Sequence, residues 1–491
     1  MSSISSVQPL GSRRALSTSI FRRVADESLL LTVVVAFAVF VAVSAAPYML
    51  WGDSWMTFLG GREVAAHGIP GVDTLTVLTR GREWVDQQWL AQLATYEFES
   101  AFGLQATLAL FAAMIIVPFV LACRFARIRG ASPRSVAVFA LLGSPAALCA
   151  VRAQAFSYFL FVPFLALLVA EARRPSRRVW LTLPLIALWA NVHGAVLVAA
   201  ALASLLGLAE LLEGKPRRRA LGLLLLPWPC VFVSPYGLSL VGYYHSTAGN
   251  PLFKKFILEW APPMFPTAVG LPFFLTAGVG LVLLARRPRE LTLFEHGALA
   301  LTLLGGLTAE RSITWFSYAA LLLLPAVLER AWPQPAASQA LRHLLGAVTA
   351  ATVVLGLAAT ASAAAHASAR IRSFWPPEAV RAVRQVLAAD PHARVLAAEG
   401  SADWLLFELP GLRGKIAFDN RFEVLSLPRF RLVRDYLKQS GPGWDRLSRG
   451  YRVIVVDPRG NKALYRTYEA RGLRMLFRND HVAVFDAARR R

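Results

Sequence analysis

The chain has 491 residues, of which 56% are hydrophobic and only 17% charged, with a formal net charge of +22. A soluble protein of this length carries more charge, and a mean hydropathy of +0.49 excludes an ordinary water-soluble domain. The basic residues stand in short Arg-rich clusters between apolar runs, which is the distribution that orients membrane proteins and not a nucleic-acid-binding face.

In chain order, the stretch through Arg23 is basic and Ser-rich, and no small-residue cleavage site follows the apolar run after it. Residues 1–27 therefore read as a cytoplasmic tail ahead of an uncleaved first span. A crossing helix needs ~20 mostly apolar residues. Spans are expected near 28–50, 104–123, 134–150, 155–171, 179–191, 194–212, 220–236, 268–285, 291–308, 312–328 and 343–364, eleven in all. The run 179–212 is too long for one crossing, since its 34 residues make a helix of ~51 Å against an apolar core of ~30 Å. It is expected to break at Asn191-Val192-His193-Gly194. Cys123, Cys149 and Cys230 lie in or beside apolar segments, without disulfide or metal spacing, and read as core residues.

Lys and Arg in alternate loops number 21 on the side that holds the N-terminus and seven on the other. That bias puts the N-terminus in the cytoplasm and the loops 51–103 and 237–267 outside. With an odd number of spans the C-terminus is outside too. From about residue 370 the composition changes, and residues 370–491 hold 24 of the 52 basic and 13 of the 30 acidic residues. β-like runs at 394–397, 415–418, 452–456 and 481–485 alternate with helical patterns near 377–389, 429–438 and 461–471. The expected fold is an all-α polytopic membrane bundle of about eleven transmembrane helices over 28–369, with a small extracytoplasmic α/β domain over 370–491.

The outer loops hold the residues suited to chemistry. The first contains Trp51-Gly52-Asp53-Ser54-Trp55, then Asp73, then Trp84-Val85-Asp86-Gln87-Gln88-Trp89-Leu90. Val85, Trp89, Leu93 and Tyr96 share one face at helical spacing, so 84–100 is expected as an amphipathic helix lying in the interface. A mere connector has no need of a loop this long. Asp53 falls within a turn of the outer end of span 1, where water meets lipid and a carboxylate is placed for general-base work. The competing reading is a solvated helix end. Further polar groups recur at outer ends: Arg152 and Gln154, Asn191 and His193, Tyr236, Glu259, and Glu310-Arg311. Ionisable residues near membrane depth are expensive and usually functional, so their grouping on one side argues for a shared outward cavity. Arg152, His193 and Arg311 suit a phosphate. Trp55, Gln88, Trp89, Asn191 and Tyr236 are candidates for substrate contact. The sequence has no zinc-binding helix, Walker loop or nucleophile elbow, and an outer face does not meet ATP. A hydrophobic donor arriving through the bilayer fits better.

The Asp just after span 1, the turn from Gly68-Ile69-Pro70 to Asp73, and the Trp84–Leu90 segment resemble the membrane glycosyltransferases of the GT-C superfamily. The pattern is most similar to the bacterial protein-mannosyltransferase-like set, which includes lipopolysaccharide sugar transferases and the aminoarabinose transferase of lipid A. The segments 189–194 and Phe418-Asp419-Asn420-Arg421 resemble stretches of other members. The resemblance covers roughly residues 28–330. It implies a polyprenyl-phosphate-linked sugar as donor, a glycan, lipid or protein as acceptor, transfer on the non-cytoplasmic face of the inner (plasma) membrane, and Asp53 as the base. The pattern departs at position 54, where Ser54 stands in place of the Glu of an Asp-Glu pair. A second acid or metal ligand would then come from Asp73, Asp86 or Glu259, and a divalent cation (Mg or Mn) is not required by the sequence. Asp419 and Arg421 are expected to pair with each other. Two alternatives stand beside this reading. One is a non-catalytic envelope scaffold. The other is a transporter or flippase, for which the mid-membrane ionisable groups and inverted repeats are not seen.

Overall fold

The computed structural model describes residues 11–144, 152–248, 256–333 and 338–488. Residues 1–10 of the tail, the far end of the expected 134–150 span with Cys149, and residues 249–255 of the second outer loop lie outside the described residues. The chain forms two compact units. The first draws on Met1–Phe40, Phe119–Ala147 and Pro262–Ala361, and the second on Val41–Pro118, Leu148–Ala261 and Ser362–Arg491.

At the heart of the first unit is the Ile313–Ala331 helix, nearly all of whose side chains are buried. It packs against the helices Pro133–Gly143, Gly270–Arg286 and Leu293–Thr308. Thr292 caps the last of these: its hydroxyl takes the Glu295 N–H, and Glu295 accepts the Thr292 N–H at 2.8 Å. The buried Glu295 also pairs with Arg129 at 2.8 Å. One Arg-rich cluster is thus anchored by a buried acid, which needs such a partner because an isolated charge is costly away from water.

Among the described residues, five helices are long and apolar enough to cross a membrane by length and composition, with four shorter apolar helices beside them. The five are Glu27–Ala45, Trp89–Ile128, Gln154–Arg173, Glu310–Ala331 and Gln339–Ala365. Two expected spans are shorter than foreseen. The 179–191 run is a five-residue 3-10 turn, Arg177–Leu181, followed by the eight-residue helix Thr182–Trp189. The 220–236 run splits into Arg217–Leu225 and Pro227–Val231, because Pro227 and Pro229 supply no N–H to continue a helix. The 179–212 run does break where expected, with helix resuming at Val196. Cys123 is buried, Cys230 is half-buried, and both are free.

Helix α1 (Gly11–Tyr48) begins in the first unit and ends in the second, where α2 (Gly52–His67) follows at once, in what the sequence reads as loop. Helix α3 (Trp89–Ile128) starts five residues later than the expected interfacial helix. It is interrupted at Gly103 (φ +80°, ψ 169°), where only glycine is unstrained. Near the C-terminus a four-stranded sheet forms from β1 (Val395–Ala397), β2 (Val453–Val456), β3 (Arg474–Arg478) and β4 (Ala483–Asp486). Its order is β1-β2-β4-β3, with β1 parallel to β2 and the other pairs antiparallel. The run 415–418 is not one of its strands. Ile416 instead bridges both Val395 and Thr76. The Val77 N–H donates to the Ile416 carbonyl (2.8 Å), Leu78 N–H to Ala417 (3.0 Å), and Gly414 N–H to Leu75 (2.8 Å). Backbone groups of the first outer loop are therefore satisfied by the C-terminal segment, and the two fold as one body.

Candidate functional site

Trp51, in extended conformation, starts α2 and puts Asp53 in its first turn, where the positive end of the helix dipole favours an acid. The turn is fixed by Ser54. Its hydroxyl accepts the Trp51 N–H at 3.1 Å and donates to the Met49 carbonyl at 2.8 Å. The residue that occupies the place of a second acid is thus a structural clamp. Gly52 lies against the C-terminal segment so closely that a Cβ there would sit 2.8 Å from Gly400 Cα and 3.1 Å from Asn420 Nδ2.

Both oxygens of Asp53 are engaged. Asn420 Nδ2 donates to Oδ1, and Arg152 Nη1 donates to Oδ2 at 3.1 Å. The Arg152 fork also grips Glu259, with Nη1 to Oε2 at 2.9 Å and Nη2 to Oε1 at 2.7 Å. Asp53 and Glu259 keep 45% and 44% of their side-chain surface while Arg152 keeps 21%, so the acids face outward over a recessed cation. Burial alone would lower the Arg152 pKa, but Glu259 and Asp53 raise it further than burial lowers it. Arg152, expected at the donor phosphate, directs both terminal nitrogens to carboxylates here.

Behind this group lies Arg421, buried and stacked 4.2 Å over the Trp84 ring. It donates to Asp419 Oδ2 (Nε, 2.9 Å) and to Asp73 Oδ1 (Nη2, 2.8 Å). Asp419 and Arg421 pair as expected, and the pair extends to the first outer loop. Asp73 also accepts from Leu75 N–H (3.0 Å) and from the Thr79 hydroxyl. Burial works to raise its pKa, yet Arg421 and these donors hold it below the usual carboxylate range. With both oxygens so engaged, Asp73 ties the first loop to the 418–421 segment. Asp86 behaves differently. Burial pushes its carboxyl up to about 7, and its Oδ2 has no hydrogen-bonding partner among the described residues. Glu423, in the turn after Arg421, is likewise pushed to about 7 by burial, with Asp419 and Asp53 adding to the shift. Asp403 is fully buried, and neither oxygen has a hydrogen-bond partner of ordinary geometry. Burial and then Asp419 hold its pKa well above the carboxylate range, against the opposing pull of the Arg421 charge and, more weakly, the Asn420 N–H.

Several candidates for substrate contact prove to be ties within the protein. Trp55 is buried against Phe58, Trp375 and Phe407, with ring centroids 5.4–5.8 Å apart. Trp89 Nε1 donates to Asn191 Oδ1 at 3.0 Å, and Asn191 Nδ2 donates to the carbonyls of Ala187 and Val233. The Tyr236 hydroxyl donates to the Pro70 carbonyl at 2.8 Å. Nδ1 of His193 accepts the Ala195 N–H at 3.1 Å. Gln88 is half-buried at the start of α3. Arg311 belongs to the other unit, in the turn Glu310–Ser312. Among the described residues, no three His, Cys, Asp or Glu side chains converge as a metal site. Asp53 and Glu259 converge on a guanidinium instead, so no step below runs through a metal.

The residue that sequence reasoning passed over is Asn420. The 418–421 segment was singled out for its Asp and Arg, while the Asn between them touches Asp53. Asp403 and Glu423 were also passed over. The one available signal was an acid inside the apolar stretch Ala402-Asp403-Trp404-Leu405-Leu406.

No protein-family model and no curated protein sequence matches the chain. Its structure is similar to solved membrane proteins. One is the archaeal oligosaccharyltransferase AglB from Archaeoglobus fulgidus, solved with an inhibitory peptide and a dolichol-phosphate: TM-score 0.54, 10% identity, covering 86% of this chain and 69% of that one. Another is apo ArnT from Cupriavidus metallidurans: TM-score 0.52, 17% identity, covering 92% of this chain and 96% of that one. At such identities the likeness establishes the fold alone, one that the chain shares with both of these transferases.

Proposed function

We propose that this chain is a membrane glycosyltransferase that moves a sugar from a polyprenyl-phosphate donor to an acceptor hydroxyl on the non-cytoplasmic face. The observation that carries this reading is Asp53, half-buried at a helix start and held on one oxygen by Arg152 and on the other by Asn420. A base must be within reach of the proton it takes and fixed in direction. Asp53 accepts the acceptor hydroxyl's proton as that oxygen attacks the anomeric carbon. The bond from that carbon to the phosphate oxygen breaks, and the polyprenyl phosphate leaves with the electron pair. Arg152 holds Asp53 and Glu259 in register and places positive charge beside the centre where negative charge develops. The dolichol-phosphate bound to the AglB of similar fold supports a polyprenyl phosphate as donor. The Arg-rich loops on one side support an outward-facing site.

The decisive experiment is transfer of labelled sugar from polyprenyl-phosphate donors by purified Asp53→Asn protein. A positioned base is worth ~10²–10⁴-fold, so transfer should fall by that factor while expression and membrane insertion match wild type. A wild-type rate in this variant would sink the proposal.

A further inference from the structure

The free edge of the sheet carries a second concentration of charge, and none of its residues belongs to the Asp53 network. Between the turn after β2, the Lys462–Ala470 helix and β3 lies a cleft of about 270 Å³. Arg459, Lys462, Arg466 and Arg478 line it, together with Glu469 and Asp480. These charges do not cancel. Asp480 is taken by Arg459. Glu469 is taken by Arg478 at 3.7 Å and by the Tyr465 hydroxyl at 2.6 Å. Arg478 also lies 5.0 Å over the Tyr465 ring. Lys462 and Arg466 are exposed and have no acidic partner among the described residues. They stand four residues apart on one helix face, a spacing at which like charges repel and destabilise the helix. The rim is rigid, because Asn479 donates to the Ser373 carbonyl (2.8 Å) and accepts the N–H groups of His481 (2.8 Å) and Val482 (2.7 Å).

The geometry points to a binding site for a phosphate dianion in this cleft, the phosphomonoester or pyrophosphate group of a saccharide or a lipid. Two unpaired cations match the ~1.5–2 negative charges of a phosphomonoester near pH 7. Arg466 supplies a planar donor fork and Lys462 a mobile point charge. The volume falls just short of the ~300–1,000 Å³ of drug-sized sites, so it takes a headgroup and not a long chain. Residues 370–491, with 24 basic against 13 acidic residues, draw anions toward it.

The test uses the full-length protein in lipid nanodiscs. In one arm, phosphatidylcholine discs receive inorganic pyrophosphate. In the other, the discs contain phosphatidic acid and no soluble phosphate is added. Hydrogen exchange of amides 458–480 is read in both, and pyrophosphate affinity is measured in the first. Protection in the first arm assigns the site to soluble or glycan-borne phosphate, and protection in the second alone assigns it to a lipid headgroup. The double variant Lys462→Ala/Arg466→Ala should bind roughly a hundredfold more weakly, since each charged contact is worth about tenfold. The charge-keeping swap Lys462→Arg/Arg466→Lys should retain binding. Absence of protection in both arms overturns the site, as does binding that survives the double alanine variant.

Discussion

Asp53 has two donors, and they do different work. Arg152 brings charge, whereas Asn420 brings direction from a segment 367 residues away in sequence. Changing Asn420 to Asp keeps the shape and sets two carboxylates face to face, where one of them retains a proton. The transfer rate of Asn420→Asp should therefore recover only at higher pH, moving the acid limb of the kcat profile upward. An unmoved limb would assign Asn420 a purely structural role. Asp86 makes a separate prediction. Its folded pKa, pushed up to about 7, lies above the ordinary carboxylate value, so the folded state holds a proton that the unfolded chain releases. That contribution to stability is fully present below about pH 4 and is lost as pH rises through about 7. Asp86→Asn removes the titration, so its Tm should fall less steeply than the wild type's between pH 5 and 8. Identical slopes in detergent would refute the assignment. At this scale the sequence singles out Asp53, Arg152 and Glu259 as candidates for one shared site, and the structure brings the three together. Their mutual grip and the clamp role of Ser54 depend on partners that no local pattern reveals. The burial of Trp55 and the three hydrogen bonds of Asn191 are hidden from sequence for the same reason, because an aromatic or amide beside a loop looks alike whether it faces ligand or core.

The α2 helix meets the Glu399–Glu408 helix through glycine on each side, but the two glycines are not equivalent. A methyl at position 52 would come within 2.8 Å of Gly400 Cα, whereas one at position 400 would have its nearest neighbour at 3.5 Å, an ordinary contact. Gly52→Ala should thus cost about 1–3 kcal/mol, the range for overpacking, and Gly400→Ala should fall within about 0.5 kcal/mol. Thermal unfolding of the pair checks this, and equal effects would contradict the geometry. Long periodic helices were legible from sequence: Pro377–Ala389, Leu427–Lys438 and Lys462–Ala470 lie within two residues of their patterns. Edge strand β3 was not, because Arg474 and Arg478 bracket its apolar centre and it faces water. Helix α2 was missed because Trp, Gly and Asp at its start read as loop, and Glu399–Glu408 because its apolar residues run together without helical spacing.

At the scale of the whole molecule, the charge asymmetry between loops predicts an N-terminus in the cytoplasm and a C-terminus outside. Alkaline phosphatase fused after the last residue should be active and a fused green fluorescent protein dark, and the opposite pair of results would reverse the topology. The mostly helical class with long apolar helices followed from composition and apolar periodicity, and the likeness to AglB and ArnT agrees with it. What composition did not reveal was the joining of 51–103 to 370–491, since hydrogen bonds between backbone groups leave no residue-type signature.

That joining has a consequence for biogenesis. Asp73 is made 348 residues before Arg421, its buried counter-charge. At ~5–20 residues per second this is a delay on the order of tens of seconds. Throughout that interval the acid and the backbone groups of 75–78 stay unmated, so a segment made much later completes one made early.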